Sequence, residues 1–309
     1  MTLKWDVEEY IAMTSMSSKS RILVEGKGDR SHISSLFSAL HPDLRIRIDL
    51  AIDIKGSCKA TASNNRAKIE KIHGHCKSRT SHKKLFFLCD REFRKFELGS
   101  DIKDCLEDHE TDGNLSWTLG HSIENYFLSA IMLGEGFKYL TASGFKNEAV
   151  KLFCDVFDSA IRMVAAASLA AKNLQCAGYP SKLFTGERIS VSGDEVVVKF
   201  ESFEDQFAAR FAETYSECLA IANATDVVIC ARFCRGHTAV VLLQRVFAAC
   251  LLQIGEGKDL EQAEYDAALF VNVSENNISN ALSESWVRSV STGEAMYPTS
   301  LLSLIQTSA

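Results

Sequence analysis

The 309-residue sequence contains only three prolines and no Gly/Ser-rich run, so it offers no obvious flexible linker. No apolar run approaches the roughly 20 residues that a membrane-spanning helix needs. The first residues, MTLKWDVEEYIAMTS, are amphipathic and acidic, unlike the basic and then apolar pattern of a secretory signal. These absences predict a cytoplasmic protein that does not bind a membrane and whose parts pack together.

The ten cysteines include no CxxC pair. Most lie in apolar periodic segments, as do Cys89, Cys154, Cys218 and Cys250. This distribution favours reduced core thiols over disulfides. The HGHC stretch from His73 to Cys76 lacks a second ligand pair at zinc-finger spacing, so we interpret it as a polar turn.

Two nucleotide-binding motifs are also missing. The GKG stretch begins at Gly26, but Lys27 is followed by Gly28 and Asp29 where a P-loop has Ser or Thr. No glycine lies five positions before Gly26, and the dinucleotide pattern GxGxxG is incomplete. Neither kind of phosphate loop is therefore predicted.

Charge is distributed unevenly along the chain. Residues 1–100 contain 19 Lys+Arg and 12 Asp+Glu, a net charge of +7. The other 209 residues contain 15 and 28, a net charge of −13. Between Lys55 and Lys84 there are nine basic residues and one acid, Glu70. Composition leaves two alternatives open for this tract: a solvated helix and loop, or a patch that binds nucleic-acid phosphates.

Hydrophobic periodicity predicts alternating strands and helices in the first part of the chain. The Leu44–Ile54 segment alternates apolar and mostly charged residues, as a strand near a sheet edge does, whereas Leu85–Cys89 is continuously apolar. The order predicts an α/β fold with a mainly parallel sheet buried on both faces. The predicted elements are helices at Leu3–Met16, Ser31–Leu40 and Asn65–Cys76, and strands at Ile22–Glu25, Leu44–Ile54, Leu85–Cys89 and within LSWTLG.

From about residue 127 apolar helices dominate, with one hairpin whose turn is Ser192–Asp194. The division predicts an α/β domain with an N-terminal helix at 1–127 and a mostly α-helical C-terminal domain at 128–309. The predicted helices are Ala149–Gln175, Phe203–Ala224, His237–Ile254, Leu260–Val271 and Ile278–Val290.

Acidic residues follow two of the predicted strands. Glu25 follows ILV, Asp90 follows LFFLC, and Glu92 comes two residues later. Ligands bind beyond the carboxyl ends of strands in open α/β sheets, and an extended backbone would point Asp90 and Glu92 the same way. Converging carboxylates need a cation, and oxygen ligands favour Mg²⁺ or Mn²⁺. The bland alternatives are that Asp90 caps a helix and that Glu25 pairs with Lys27 or Arg30.

The segments VEGKGD and LCDRE resemble the TOPRIM domain shared by topoisomerases, primases and OLD-type nucleases. Glu25 matches the family's glutamate after the first core strand, and Asp90 matches the leading acid of its D-x-D motif. The second position of that motif is Glu92 here, a longer side chain. GHSIENYFL, residues 120–128, resembles the H-x-I-E-N-Y segment of small TOPRIM nucleases in bacterial phage defence, in particular the TOPRIM effectors of PARIS-type systems.

The resemblance implies a TOPRIM (Rossmann-like) fold over about residues 18–130 and a Mg²⁺-dependent (or Mn²⁺-dependent) nuclease. Glu25, Asp90 and Glu92 would be catalytic metal ligands, with Glu124 as a further ligand. It also implies that Asn125 or His121 orients ligands, although SIENY reads equally as a strand-to-helix junction capped by Ser122. Asp29 is then either a second carboxylate behind the site or a cap of the next helix.

Other residues would act on the phosphates. Lys27, or Lys95, would stabilise negative charge during cleavage. Tyr126 is conceivable as a nucleophile only for topoisomerase chemistry, for which the chain lacks strand-passage domains. The residues predicted to bind nucleic acid are Lys55, Lys59, Arg66, Lys83 and Lys84 of the basic tract, with Arg235 and His237 at the start of an apolar helix, a position that suits phosphate.

The PARIS-type resemblance implies a toxic effector that cleaves tRNA, is restrained by an ABC-type ATPase partner and is a homodimer when active. An OLD-type resemblance alone implies DNA nicking or endonuclease activity. A third alternative is a non-catalytic TOPRIM-like binding subunit, for which the Glu92 departure is the best support.

Overall fold

The computed structural model describes residues 5–176, 183–200 and 205–307. The chain forms two compact units. The sheet unit comprises Met1–Arg91, Leu106–Ile123 and Val290–Ala309, and the helical unit comprises Glu92–Cys105 and Glu124–Ser289. The protein is thus a mixed α/β protein with a mainly parallel sheet and a helical C-terminal part, as the sequence predicts.

The described strands are short. They are β1 (Trp5–Asp6), β2 (Ser20–Val24), β3 (Ile46–Leu50), β4 (Ile54–Lys55), β5 (Leu85–Cys89), β6 (Phe96–Leu98), β7 (Ile102–Asp104), β8 (Thr111–Asp112), β9 (Leu115–Trp117), β10 (Ile189–Ser192) and β11 (Glu195–Val198).

Several helices begin at a side chain that caps their free N–H groups. These N-caps include Asp6, Asn64, Ser129, Asp205, Asp226 and Asp259. The described helices are α1 (Val7–Ser15), α2 (Lys27–Leu40), α3 (Lys59–Ala62), α4 (Asn65–Cys76), α5 (Ala130–Leu140), α6 (Lys146–Asp155), α7 (Phe157–Asn173), α8 (Gln206–Asn223), α9 (Val227–Phe233), α10 (Gly236–Glu256), α11 (Leu260–Val271), α12 (Glu275–Ser291) and α13 (Thr299–Thr307).

The sheet unit is built on a five-stranded sheet of order β3-β2-β5-β9-β8. All neighbours are parallel except β8, which is antiparallel to β9. The predicted edge strand is confirmed, since β3 lies at one side of the sheet. Every residue of β5 is buried, which confirms the prediction from its continuous apolar run.

Helices cover both faces of this sheet. One face packs with α1 and α4 in a core of Tyr10, Leu23, Ile69, Ile72, Phe87, Cys89 and Leu115. On the other face, α2 contacts β3, and the C-terminal helix α13 contacts β5. The Ser116 and Ser300 hydroxyls hydrogen-bond at 2.6 Å, so α13 belongs to the sheet unit, whereas the sequence places it in the helical domain.

The charged face of β3 is only partly exposed, contrary to its alternating pattern. The Asp49 carboxylate is buried, where it accepts hydrogen bonds from Arg21 Nη1 at 2.6 Å and from the Tyr10 hydroxyl at 3.1 Å. Burial, together with Asp49, raises the pKa of Tyr10. The helix α1 therefore covers a residue that the alternation alone assigns to solvent.

Several predicted boundaries change in the structure. The predicted helix Ala149–Gln175 is divided into α6 and α7, because ψ is 2° at Val156 and ends the helical geometry. A second hairpin, β6–β7, was not predicted. The HGHC stretch is the last turn of α4 rather than a polar turn, and His73 is buried against Phe87 with its pKa lowered by burial. Two helices were predicted to begin at Leu3 and at Phe203. Both of these positions lie outside the described residues.

All ten cysteines are free, as predicted. The expectation about membrane-spanning segments was wrong in one respect. Helix α10 has a mean hydropathy of 1.7 and is long and apolar enough to cross a membrane by length and composition. However, 72% of the apolar 18-residue window of this helix is buried inside the protein, as in a core helix.

Candidate active site

Glu25 and Asp90 meet at the carboxyl end of the sheet. Each directly follows a strand, β2 and β5 respectively, and these strands are parallel neighbours with Leu23 opposite Phe87. The Glu25 Oε1 atom accepts a hydrogen bond of 3.1 Å from the Asp90 backbone N–H. Both acids are half-buried. The sequence prediction that these two residues share one rim of the sheet is confirmed.

Helix α2 starts immediately after Glu25. Gly26 is its N-cap, and the Gly26 N–H donates to Asp29 Oδ2 at 2.7 Å. Of the two alternatives for Asp29, the structure therefore supports the helix cap. Lys27 is the exposed first residue of α2, so its charge adds to the positive N-terminal end of the helix dipole beside Glu25.

The carboxyl end of β3 reaches the same place. The Ile52 N–H donates to the Glu25 carbonyl oxygen at 3.3 Å, within a 3₁₀ turn at Ala51–Asp53 that follows β3. Asp53 in this turn is a further half-buried acid that sequence reasoning missed. The sequence signal for Asp53 was an acid that follows an apolar strand. Because the apolar and polar residues alternate as far as Ile54, the sequence did not show that the strand ends before Asp53.

Two buried residues, Cys89 and Arg91, flank Asp90 in the sequence. Burial, reinforced by the charges of Glu25, Glu70 and Asp90, raises the pKa of the Cys89 thiol. Arg91 is fully buried; its backbone N–H donates to Thr118 Oγ1 at 3.0 Å and its Nη1 donates to the Leu119 carbonyl at 2.6 Å. Arg91 thus fixes the segment that follows Asp90.

Glu92 does not continue the strand. Its φ is 51°, in the left-handed region, at the start of a turn over residues 92–95, and it belongs to the helical unit. An extended backbone from Asp90 to Glu92, the condition under which both side chains would point the same way, is therefore not present. Lys95, in the same turn, also has a positive φ of 62°. The roles assigned to Glu92 and Lys95 stay predictions.

In the helical unit, Glu124 and His237 lie together. Glu124 is buried in a 3₁₀ helix, Ile123–Phe127, and its Oε1 is 3.4 Å from His237 Nε2. The other ring nitrogen, Nδ1, is 2.5 Å from Glu275 Oε1. His237 therefore lies between two carboxylates, and Glu275 is a partner that sequence reasoning missed.

Two other residues of the SIENY segment have packing roles. The Asn125 side-chain N–H₂ group donates to the carbonyl oxygens of Ala231 at 2.6 Å and Cys234 at 2.8 Å, where α9 ends. Tyr126 is buried and stacked on Trp286, with ring centroids 5.7 Å apart. These contacts give both residues a packing role, and the orienting role of Asn125 stays a prediction. His121, the other candidate, is half-buried in the sheet unit.

Arg235 also has a packing role. Its Nη1 and Nη2 atoms both donate to the Cys176 carbonyl at 3.0 Å, and its guanidinium lies 5.5 Å from the centre of the Phe93 ring. Burial lowers the pKa of Arg235, while the charges of Cys176 and Glu92 oppose this shift. Its predicted binding of nucleic acid stays a prediction.

The predicted basic tract is divided between the two ends of the sheet. Lys55 and Lys59 are exposed after the carboxyl end of β3, and Arg66 lies in the first turn of α4, paired with Glu70 at 3.6 Å. The Lys68 ammonium donates to the Ala51 carbonyl at 3.2 Å, which fixes the start of α4 at this end. These three predicted residues thus share the end of the sheet that carries Glu25 and Asp90.

Lys83 and Lys84 lie at the opposite end. Both directly precede β5, and the Lys84 ammonium donates to the Ser18 carbonyl at 3.4 Å, before β2 begins. Five residue steps along β5 separate Lys84 from Cys89, and each step rises about 3.3 Å. Lys83 and Lys84 therefore do not contact a phosphate held by Glu25 and Asp90.

The donor set at the rim fits a hard divalent cation. Within the described residues, no three His, Cys, Asp or Glu side chains are grouped as a metal site. Mg²⁺ is commonly held by only one or two carboxylates, with waters and substrate phosphates completing its octahedron. Glu25 and Asp90 satisfy that requirement, and their oxygen donors exclude a preference for soft metals.

Comparison with known proteins adds no assignment. No protein-family model matches the chain, and a search of curated proteins finds no significant match.

Proposed function

We propose that this protein is a metal-dependent nuclease of the TOPRIM type. The observation that carries the proposal is the meeting of Glu25 and Asp90 at the carboxyl ends of two adjacent parallel strands, joined by the hydrogen bond from Asp90 N–H to Glu25 Oε1. Ligands of open α/β sheets bind at this position. Two half-buried carboxylates at this position repel each other, and a bound cation would offset that repulsion.

Each residue of the site has a defined task in this proposal. Glu25 and Asp90 hold Mg²⁺ or Mn²⁺, while roles of Glu92 and Glu124 as further ligands are implied only by the sequence resemblance. The ion supplies charge stabilisation and a nucleophile at neutral pH. Lys27, at the positive end of α2, attracts and orients the phosphate. Arg91 holds Asp90 in position through its bonds to Thr118 and Leu119.

The biological role follows from the sequence resemblance. We propose a cytoplasmic toxic effector of anti-phage defence that cleaves tRNA when an ABC-type ATPase partner releases it, and that acts as a homodimer. The basic residues Lys55, Lys59 and Arg66 share the end of the sheet that carries the acids, which suits a polyanionic substrate. DNA nicking is the alternative outcome for the same site.

A second candidate function is a non-catalytic binding subunit. One observation favours it. Glu92, which would stand for the second acid of the D-x-D motif, begins a turn at φ 51° instead of extending the strand.

One assay separates these functions. Purified protein is incubated with tRNA or supercoiled plasmid and Mg²⁺, alone and with a co-expressed ABC-type ATPase partner. We expect cleavage of tRNA by the wild type and a loss of at least about 100-fold in Glu25→Gln and Asp90→Asn, because changing even an outer partner of a metal ligand costs 10–100-fold. Asp43→Asn is the matched control, since Asp43 is an exposed acid before β3 at the other end.

The other outcomes are equally informative. Unchanged cleavage in Glu25→Gln would show that the site assignment is wrong. Cleavage of plasmid but not tRNA would establish the DNA alternative. No cleavage of either substrate under any condition would favour the binding subunit.

A further inference from the structure

Basic residues precede three neighbouring strands at the amino end of the sheet. Lys19 directly precedes β2, Arg45 precedes β3, and Lys83 lies two residues before β5. The register pairs Ser20 with Ile46 and Arg21 with Leu85. The register therefore brings Lys19 and Arg45 to the same end of the sheet. Lys83 ends the 3₁₀ turn Thr80–His82 before β5, with φ −60° and ψ −18°.

The Arg21 N–H donates to the Lys84 carbonyl at 2.9 Å, which joins β2 to the residue next to Lys83. Neighbouring strands lie about 4.8 Å apart, so the residues that precede them lie near one another. We call Lys19, Arg45 and Lys83 the amino-end row. All three residues are exposed.

Two acids near the amino-end row are paired with other cations. Asp49, on β3, is buried and engaged with Arg21 and Arg47. Asp112 forms an ion pair with Lys77, a further exposed cation of this end. The exposed acids are Asp43, two residues before Arg45, and Glu8, which lines a pocket with Arg79. The three cations of the row outnumber these two acids, and a positive surface attracts a polyanion.

A pocket adjoins the amino-end row. It has a volume of about 290 Å³ and is lined by charged, hydroxyl and amide side chains, including Lys77, Ser78, Arg79, Thr80, Lys83 and Asn114. The loop from Lys77 to Ser81 is exposed at every residue. Arg, Lys, Ser, Thr and Asn are the side chains that contact phosphate oxygens in nucleic-acid complexes. This composition favours a phosphate backbone over an acidic protein surface.

We propose that the amino-end row and this pocket form a second phosphate-binding surface for nucleic acid, remote from the acids. The inference rests on the proposed nuclease function and deepens it, because it defines the substrate as a polymer. From Lys84 to Asp90, six residue steps of about 3.3 Å give roughly 20 Å. At about 3.4 Å per stacked nucleotide, that separation corresponds to about six nucleotides.

The test measures binding of RNA as a function of salt, with EDTA present to prevent cleavage. The variant combines Lys19→Gln, Arg45→Gln and Lys83→Gln. The matched control combines Lys138→Gln, Lys151→Gln and Arg210→Gln, which are exposed cations of the helical unit. The probes are a 30-nucleotide single-stranded RNA and a four-nucleotide RNA, and circular dichroism of each variant verifies folding.

Each phosphate contact contributes about 0.7 to the slope of log K against log salt for single strands. We therefore expect the amino-end variant to lose about 2 from the slope for the 30-nucleotide RNA, with the control unchanged. Mg²⁺-dependent cleavage of the four-nucleotide RNA should be equal in all three proteins, since that RNA cannot span the two ends.

Three results would overturn the inference. An unchanged slope in the amino-end variant, with cleavage intact, would remove the second surface and leave the nuclease proposal standing. No RNA binding by the wild type would exclude the surface, and the Glu25→Gln assay then decides separately on the nuclease. Equally tight, equally salt-dependent binding of polyglutamate, lost in the same variant, would assign the surface to an acidic protein partner.

Discussion

The two ends of one parallel sheet carry opposite chemistry. At the carboxyl end, Glu25 and Asp90 approach each other at the ends of β2 and β5. At the amino end, the same strands and their neighbour β3 are preceded by Lys19, Lys83 and Arg45. Parallel strands have their carboxyl ends at one edge of the sheet and their amino ends at the other. The strand order that brings the acids together therefore also brings the cations together.

This comparison teaches how a charge tract should be interpreted. Nine basic residues between Lys55 and Lys84 form one cluster in the sequence. In the fold, α4 runs back along the sheet, so Lys55 and Arg66 lie near the acids while Lys83 lies at the opposite end. A single predicted patch is in fact two surfaces, separated by the length of a strand.

The largest expected effect on stability comes from an acid between the two ends. Asp49 is buried with Arg21 and Tyr10, so Asp49→Ala leaves a buried guanidinium without its carboxylate. We expect a loss of about 3–5 kcal/mol in the free energy of unfolding. Glu25→Gln, a half-buried rim acid, should cost less than about 1 kcal/mol. Urea unfolding followed by circular dichroism measures both.

The same unfolding experiment tests whether the rim acids contribute to stability. A loss in Glu25→Gln as large as that in Asp49→Ala would mean that the rim acids are structural. Tyr10→Phe serves as the graded control, since it removes one hydrogen bond to Asp49 and keeps the ion pair.

A smaller expected effect on stability is the gain from metal binding, which should depend on the carboxyl end of the sheet and not on the amino end. Mg²⁺ or Mn²⁺ at 100 times its dissociation constant should add about 2.7 kcal/mol to the free energy of unfolding of the wild type. EDTA should reverse the gain, and the double variant Glu25→Gln/Asp90→Asn should show none. Thermal unfolding monitored by fluorescence measures this gain.

The control for metal binding comes from the opposite end of the sheet. The triple variant of the amino-end row should keep the full stabilisation by metal, because its residues hold no metal. An equal gain in the Glu25→Gln/Asp90→Asn protein would mean that the ion binds elsewhere.

The smallest effect compares two thiols of the carboxyl end. Hydrogen bonds from Thr61, led by its hydroxyl at 3.4 Å from Cys58 Sγ, lower the pKa of Cys58, whereas burial raises the pKa of Cys89. As pH rises, the exposed Cys58 thiolate should form earlier than that of a free cysteine, whose pKa is about 8.5. Its alkylation rate should therefore level off at a lower pH, while Cys89 stays unmodified in the folded protein.

Mass spectrometry after iodoacetamide treatment at several pH values measures both rates. The Thr61→Val variant is the control, since it removes the hydroxyl and should shift the Cys58 profile towards that of a free cysteine, while the backbone N–H groups of Ala60 and residue 61 remain. Alkylation of Cys89 at the rate of Cys58 would contradict the burial of the residue beneath the rim acids.

Much of the fold could be predicted from the sequence. Helix α4 and strand β5 were predicted at their observed bounds, because periodic and continuous apolar patterns are local properties. The pairing of Glu25 with Asp90 was also predictable, since it requires only that two strands be parallel neighbours. Asp53 and Glu275 were missed, because a turn after β3 and a distant contact with His237 leave no local pattern.

Local patterns in the sequence were enough for the order of the elements, for the bounds of α4 and β5, and for the acids that follow two buried strands. The partners of these residues depend on contacts between distant elements. Asp49 is buried because α1 folds over β3, and the chain turns at Glu92, where φ is 51°, after the buried Arg91. The physical reason is that periodicity encodes a local face, whereas a side chain's neighbours depend on elements many residues away.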